Sequence, residues 1–182
     1  MPRLHQFKAH HPDIDIHLCA PDSPVEFPRN DITVSIRTGR SDWPADIVQE
    51  AFLDEECGPV CSPALVQRCP LVHPEDLRYY TLLHTDTRKH AWYDWLRLTG
   101  VTGVDPTSGQ HFETFYLLLQ AAVSGFGVGI GPHPLVADDI ATGRLVAPFG
   151  FVPNGLSMYV SYPQTRATDP QVVAFRDWLL EM

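Results

Sequence analysis

Residues 124–132 read SGFGVGIGP, with Gly125, Gly127, Gly129 and Gly131 at alternate positions in an otherwise apolar stretch that closes on Pro132. Such a run can be a phosphate-cradling loop, the middle of a membrane helix, or a strand stripped of side chains, and each choice builds a different fold around it. Nucleotide motifs run strand, glycines, helix, with the first helical amides turned to the phosphate. Here the order is reversed. Residues 115–124, FYLLLQAAVS, have the period of a helix that stops at Gly125 with Thr114 as its N-cap. The glycines form the next extended segment, and Pro132 and Pro134 stand where an anion-binding turn would begin. No Lys-Ser or Lys-Thr follows the run, and no acidic partner stands at the Rossmann distance. The strand reading is left. Glycine in a strand permits close approach of the backbone, either to a packed helix or to a ligand.

The membrane reading fails on the same residues. Residues 114–137 carry no Asp, Glu, Lys or Arg and are long enough to cross a bilayer. The four glycines and two prolines, however, would free backbone groups in mid-bilayer, and the flanks Glu113 and Asp138-Asp139 lack the Lys/Arg bias that orients a span. Across all 182 residues, 44% are hydrophobic and 19% charged, enough for a real core. The formal charge of −9, from 13 Lys plus Arg against 22 Asp plus Glu, works against binding DNA or an acidic membrane face. Met1 leads into PRLHQFKAHHPDID with no apolar segment of signal-peptide length, and four cysteines fit a reducing cytoplasm.

Working outward, the elements alternate. Leu4 and Phe7 sit at helical spacing before Pro12, and residues 13–20, DIDIHLCA, alternate Ile14, Ile16, Leu18 and Ala20 as a half-buried strand. Residues 31–39 form a second strand, and IVQEAFL (47–53) and CGPVCSP (57–63) two further extended pieces, the last opening a helix at Ser62-Pro63. PEDLRYY (74–80) is a short helix before the strand TLLHTD (81–86). KHAWYDWLRLTG (89–100) is a helix with Trp92, Trp95 and Leu96 inward and Gly100 as terminator. GQHFET (109–114) reads as a strand, the helix from Phe115 is apolar nearly all round and hence buried, and PLVADDIATG (134–143) is helical to Gly143. RLVAPF (144–149) and LSMYVSY (156–162) are strands, and Asp169-Pro170 opens a last helix with Val172, Phe175, Leu179 and Met182 on one face. This alternation predicts α/β architecture with mainly parallel pairing and ligands at the carboxyl ends of strands.

No enzymatic constellation emerges, so no catalytic residue, cofactor or metal is expected. His10-His11 lies outside any HExxH and precedes Pro12, a solvated helix end. Cys57 and Cys61 are four apart on one strand, facing one side, without the two-residue knuckle spacing or a second ligand pair that zinc requires. Ser124 ends a helix and lacks the preceding glycine of a nucleophile elbow.

Taken in order, FKAHHPDIDIHL (7–18), DITVSIRTGRSDWP (31–44), LDEECGPVCSPAL (53–65), HPEDLRYYTLLHTD (73–86), WYDWL (92–96), the block from Phe112 to Phe149, and VVAFRDWLLEM (172–182) resemble the effector-binding domain of LysR-type transcriptional regulators. The resemblance implies an α/β, two-lobed, periplasmic-binding-protein-like (type 2) fold. Residues 1–57 plus 158–182 would form lobe I and residues 58–157 lobe II, with two crossing strands, near DEECGPVCSP (54–63) and LSMYVSYP (156–163), as the hinge and the effector in the cleft. It begins inside the family's first helix, so lobe I is expected to lack its first strand, leaving unpaired edges. Pro24 and Pro28 fall where the family has a short helix, which is expected to be distorted or lost.

By the same resemblance the ligand contacts would be Arg37, Thr38 and Gly39, His84 and Thr85, Thr114 and Phe115, and Gly129 and Ile130. The opening amides of the helix after Thr114 would take a carboxylate or other anion, with the glycine strand as a thin wall leaving room for ligand. Two plainer readings stand beside this: Arg37 in a structural ion pair, and His84 as a strand histidine with internal partners. The implied function is small-molecule effector sensing and dimerisation, the effector being an amino acid, organic acid or peptidoglycan fragment. DNA contact would come only through a head domain this chain does not carry. A solute-binding protein for uptake and an orphan module pairing with intact regulators are the alternatives.

Overall fold

Alternating apolar positions become a strand only where a neighbour completes the ladder, and that requirement sorts the extended segments of this chain. The computed structural model describes residues 4–18, 27, 32–39 and 44–181. In chain order the elements are α1 (Leu4–His10), β1 (Ser35–Gly39), β2 (Ile47–Val60), α2 (Pro63–Arg68), β3 (Leu82–Thr85), α3 (Ala91–Thr99), β4 (Gln110–Phe112), α4 (Phe115–Val123), β5 (Val128–Pro132), α5 (His133–Ala141), β6 (Val152–Pro163) and α6 (Pro170–Leu180). Short 3-10 turns occupy Pro74–Tyr79, Asp86–Arg88 and Gln164–Arg166. The chain divides into two compact units, Met1–Asp54 with Gly155–Met182, and Glu55–Asn154.

In the first unit β1 pairs antiparallel with β6, from Ser35 opposite Ser161 to Gly39 opposite Ser157, and β6 lies beside β2. Asp169 caps α6 by accepting the Gln171 amide at 3.0 Å, and Pro170 supplies the preset first turn. α6 sets Val172 and Leu179 against Val160 and Tyr162 of the sheet. Phe7 of α1, fully buried, meets Phe175 edge-on at 5.1 Å and Trp178 at 5.3 Å, which is how the first helix is held.

Residues 14–18 are not a strand. Their alternation is real, yet no partner strand stands beside them among the described residues, and Ile16 and Leu18 are 37% and 54% exposed. Lys8 ties this segment to α1 instead, donating to the carbonyls of Pro12 and Ile14 at 2.8 Å each and to Asp15 at 3.3 Å. Ala20, Pro24, Pro28 and Met182, on which other expectations rest, lie outside the described residues.

The second unit carries the strand order β2-β5-β3-β4. β3 runs parallel to both β4 and β5, while β2 is antiparallel to β5, so the pairing is mixed rather than mainly parallel. The physical reason is connection. α3 and α4 carry the chain between β3, β4 and β5 as crossovers, whereas β2, one continuous strand across the two expected pieces, pairs with β5 rather than with β3, the next strand in the chain. The sheet buries both faces. Leu82, Val128 and Ile130 point to the α3 side, where Trp92 and Trp95 meet edge-on at 6.2 Å and Trp92 Nε1 donates to the Leu83 carbonyl at 3.0 Å. Val60 and Leu83 point to the other side, against Leu118 and Ala122 of α4, Val136 of α5, and Leu145. Each such side chain contributes on the order of 2 kcal/mol by leaving water.

Two further expectations change here. α4 buries only Leu118 and Ala122, with Tyr116 and Leu117 exposed by 67% and 46%; apolar composition all round does not supply a neighbour all round. Residues 144–149 make a single bridge, Val146 with Cys61, because the amides of Arg144 and Leu145 are taken by the Asp139 carbonyl closing α5, and Pro148 has no amide to give. Among the described residues no helix is long and apolar enough to cross a membrane.

Candidate functional site

The carboxyl ends of β3 and β4 and the start of α4 converge in the second unit. β3 and β4 are in register with His84 opposite His111 and Thr85 opposite Phe112, and two residues later Thr114 opens α4. His84 is 6% exposed, its ring stacked on His111 at 4.6 Å with 14° between planes. Its Nε2 stands 2.7 Å from the Ser108 carbonyl and donates to it, since a carbonyl can only accept. The loop that offers this carbonyl is self-bonded: Asp105 accepts the Thr107 amide at 2.9 Å and hydroxyl at 2.7 Å, and the Ser108 hydroxyl donates to the Asp105 carbonyl at 3.0 Å. Those bonds from Thr107 hold the Asp105 carboxyl below its ordinary range.

Thr85, 3% exposed, caps the turn Asp86–Arg88: its hydroxyl lies 3.0 Å from that of Thr87 and accepts the Thr87 amide at 3.4 Å. Thr114 caps α4 by accepting the Leu117 amide at 3.4 Å, while its carbonyl takes the Leu118 amide at 3.2 Å. The amides of Phe115 and Tyr116 precede that first intrahelical bond and so offer donors at the helix mouth. Phe115 itself packs beside the core of α4 and α5. The structure thus brings His84, Thr85, Thr114 and Phe115 to one end of the second unit. Arg37, Thr38 and Gly39 close β1 in the first unit, opposite Tyr159, Met158 and Ser157, and both Arg37 and Thr38 are engaged with other groups.

Gly129 and Ile130 behave differently from the expectation of room for a ligand. A Cβ on Gly129 would lie 2.6 Å from Leu118 Cδ2; one on Gly131 would lie 2.8 Å from Val136 Cγ1; one on Gly127 would lie 2.2 Å from the Thr81 carbonyl oxygen. The missing side chains let α4, α5 and the loop before β3 close on the strand, so the space is filled by the protein itself. Ile130, 5% exposed, points to the opposite face, into the tryptophan core.

Glu55 was not singled out by the sequence reading. It is 1% exposed, and Arg88 grips it with Nη1 to Oε1 at 2.6 Å and Nη2 to Oε2 at 2.7 Å, while Asn154 Nδ2 donates to Oε1 at 2.6 Å. Cys57, two residues along β2, has its thiol pushed up to about 11 by burial first and by the Glu55 charge second; burial alone pushes Cys61 up to about 11. Both are free thiols, and among the described residues no group of three or more His, Cys, Asp or Glu is placed to hold a metal ion. A cavity of about 570 Å³ lies in the first unit between α1 and residues 15–18, lined by Leu4, Lys8, Ile16 and Leu18 among others, and none of the candidate ligand residues borders it.

The LysR substrate binding domain family matches residues 1–182. The chain is 36% identical over 183 residues to the HTH-type transcriptional regulator TrpI of Pseudomonas aeruginosa, covering 100% of this chain and 62% of that protein. It is 34% identical over 182 residues to the glycine cleavage system transcriptional activator of Escherichia coli, covering 99% and 59%. Among solved structures, the effector domain of the transcriptional regulator AmpR of Pseudomonas aeruginosa is similar at a TM-score of 0.81 and 31% identity, over 100% of this chain and 86% of that one. The AmpR effector binding domain from Citrobacter freundii is similar at a TM-score of 0.81 and 27% identity, over 99% and 88%. The chain spans under two thirds of the length of these curated relatives.

Proposed function

Because the chain belongs to the LysR substrate binding domain family, with the α/β, periplasmic-binding-protein-like type 2 fold of that family's effector domains, we propose that it senses a small-molecule effector for a transcriptional regulator in the cytoplasm. The observation that carries this is the convergence of His84, Thr85 and the α4 mouth at the carboxyl ends of two parallel strands. In parallel α/β sheets that end is where ligands bind. There the Thr114 hydroxyl and the amides of Phe115 and Tyr116 are donors suited to a carboxylate, while His84 is buried, fixed by Ser108 and stacked on His111. An amino acid, organic acid or peptidoglycan fragment supplies the matching anion. The first unit's candidates are Arg37, Thr38 and Gly39; Gly129 and Ile130 belong to packing.

The lobes of the proposed sensor are residues 1–57 plus 158–182 and residues 58–157, a reading supported by the division into compact units Met1–Asp54 with Gly155–Met182 and Glu55–Asn154. Curated relatives carry the description HTH-type and are longer than the matched part, which supports a reading in which a second copy and a DNA-binding head act with this domain. The test is thermal melting against a panel of amino acids, organic acids and peptidoglycan fragments. A ligand at a hundred times its Kd stabilises by about 2.7 kcal/mol, and Thr114→Val, which removes the hydroxyl and keeps the shape and extended backbone, weakens or abolishes the shift. Melting temperatures unmoved by every compound refute the proposal.

A further inference from the structure

Glu55 and Asn154 are the first and last residues of the second unit, on β2 and β6 respectively, and they are joined directly by the Asn154 Nδ2 to Glu55 Oε1 bond. The same carboxylate holds Arg88 by both guanidinium nitrogens, and Arg88 ends the short turn that Thr85 caps. One buried side chain therefore ties together β2, the start of β6 and the turn immediately after His84 and Thr85. Gly155, next along β6, takes φ +75, a left-handed conformation at the residue following the tie.

A buried ion pair is weak evidence for stability, since apolar residues of similar size fill such a space as well. A two-pronged guanidinium–carboxylate grip does fix position, and here it fixes a three-residue turn with little apolar anchoring of its own. We propose that Glu55 is a positioning residue that clamps the turn Asp86–Arg88, and with it the ligand-facing end of β3, to both strands through which the chain enters and leaves the second unit. A ligand that shifts the turn is then felt on β2 and β6 together. Only this last step rests on the reading of His84 and Thr85 as ligand contacts.

The experiment is amide hydrogen exchange of the 182-residue chain without ligand, so its outcome is independent of whether any compound binds. In Glu55→Gln, exchange at residues 86–89 and 154–155 rises about tenfold or more while residues 92–96 of α3 keep their protection, because the opening is local. Exchange unchanged at the turn overturns the proposal. So does a uniform rise through the second unit, which marks a general contribution to stability. Should Glu55→Gln not fold, Arg88→Lys keeps the charge and loses the two-pronged grip. It is read in the same way, with the same local rise expected and the same two results overturning it.

Discussion

Gly129 and Leu118 provide the sharpest test of what the glycine strand is for. A methyl at position 129 would stand 2.6 Å from Leu118 Cδ2 and 3.4 Å from Cγ, against a preferred carbon–carbon separation of roughly 3.5–4.0 Å. Leu118 is 1% exposed and shares its core with Val60, Leu83, Ala122, Val136 and Leu145, so a shift of its side chain presses on them. Overpacking of this kind costs about 1–3 kcal/mol, and alanine recovers roughly 0.5–1 of that through its smaller backbone entropy loss, leaving a net loss of about 0.5–2 for Gly129→Ala. Leu118→Ala alone costs about 2–5 kcal/mol from lost burial and the cavity left behind. In the double variant the new methyl enters the vacated space, so Gly129→Ala becomes neutral or stabilising there, and the two changes couple by about 1–3 kcal/mol. Urea unfolding of the four proteins, followed by far-UV circular dichroism with matched m-values, measures the cycle. Additivity within about 0.5 kcal/mol would refute the packing account. An open wall would show a Gly129→Ala variant with unchanged stability and a lost ligand shift.

The two buried thiols of β2 and its following bridge should behave unlike the exposed Cys69. At pH 8 a thiol reagent, read by peptide mapping, labels Cys69 in the native state and reaches Cys57 and Cys61 only on unfolding; fast native labelling of either contradicts their burial. Both thiols titrate near 9 when unfolded and near 11 when folded, so between those values the unfolded state binds fewer protons, and stability is full below pH 9 and falls as pH rises toward 11. Replacing both by alanine flattens that part of the stability curve. At the α4 mouth, Thr114→Ala loses the cap to the Leu117 amide and about 1 kcal/mol of stability, whereas Thr114→Ser retains it; equal melting temperatures for the two would show that the cap contributes nothing.

The features legible in the sequence are those whose cause is local. Ser62, Thr114 and Asp169 were readable as helix caps because the capped amide lies two or three residues away. The inward set Trp92, Trp95 and Leu96 follows from helical period alone. Failures came where a distant partner decides. Residues 14–18 have the alternation of a strand without a ladder, and α4 has apolar faces without neighbours. The glycines of β5 were rightly placed on a strand, but a missing side chain looks the same whether a helix or a ligand fills the gap, and only Leu118 and Val136 decide between them.

Glu55 shows the same limit most clearly. Periodicity alone gives 47–53 and 57–63 as separate extended pieces, and the crossing strand expected near 54–63 leaves open which of Asp54, Glu55 and Glu56 turns inward. In the continuous strand, parity assigns Glu55 to the buried side with Cys57 and leaves Glu56 outside. A carboxylate buried by parity requires a cation, and that cation comes from Arg88, 33 residues on, while the second donor comes from Asn154, 99 residues on. The inward parity of Glu55 along that strand was therefore the missing inference. Once β2 is a single strand, the inward glutamate, its need for a guanidinium, and a turn held in place beside the candidate ligand contacts follow in sequence.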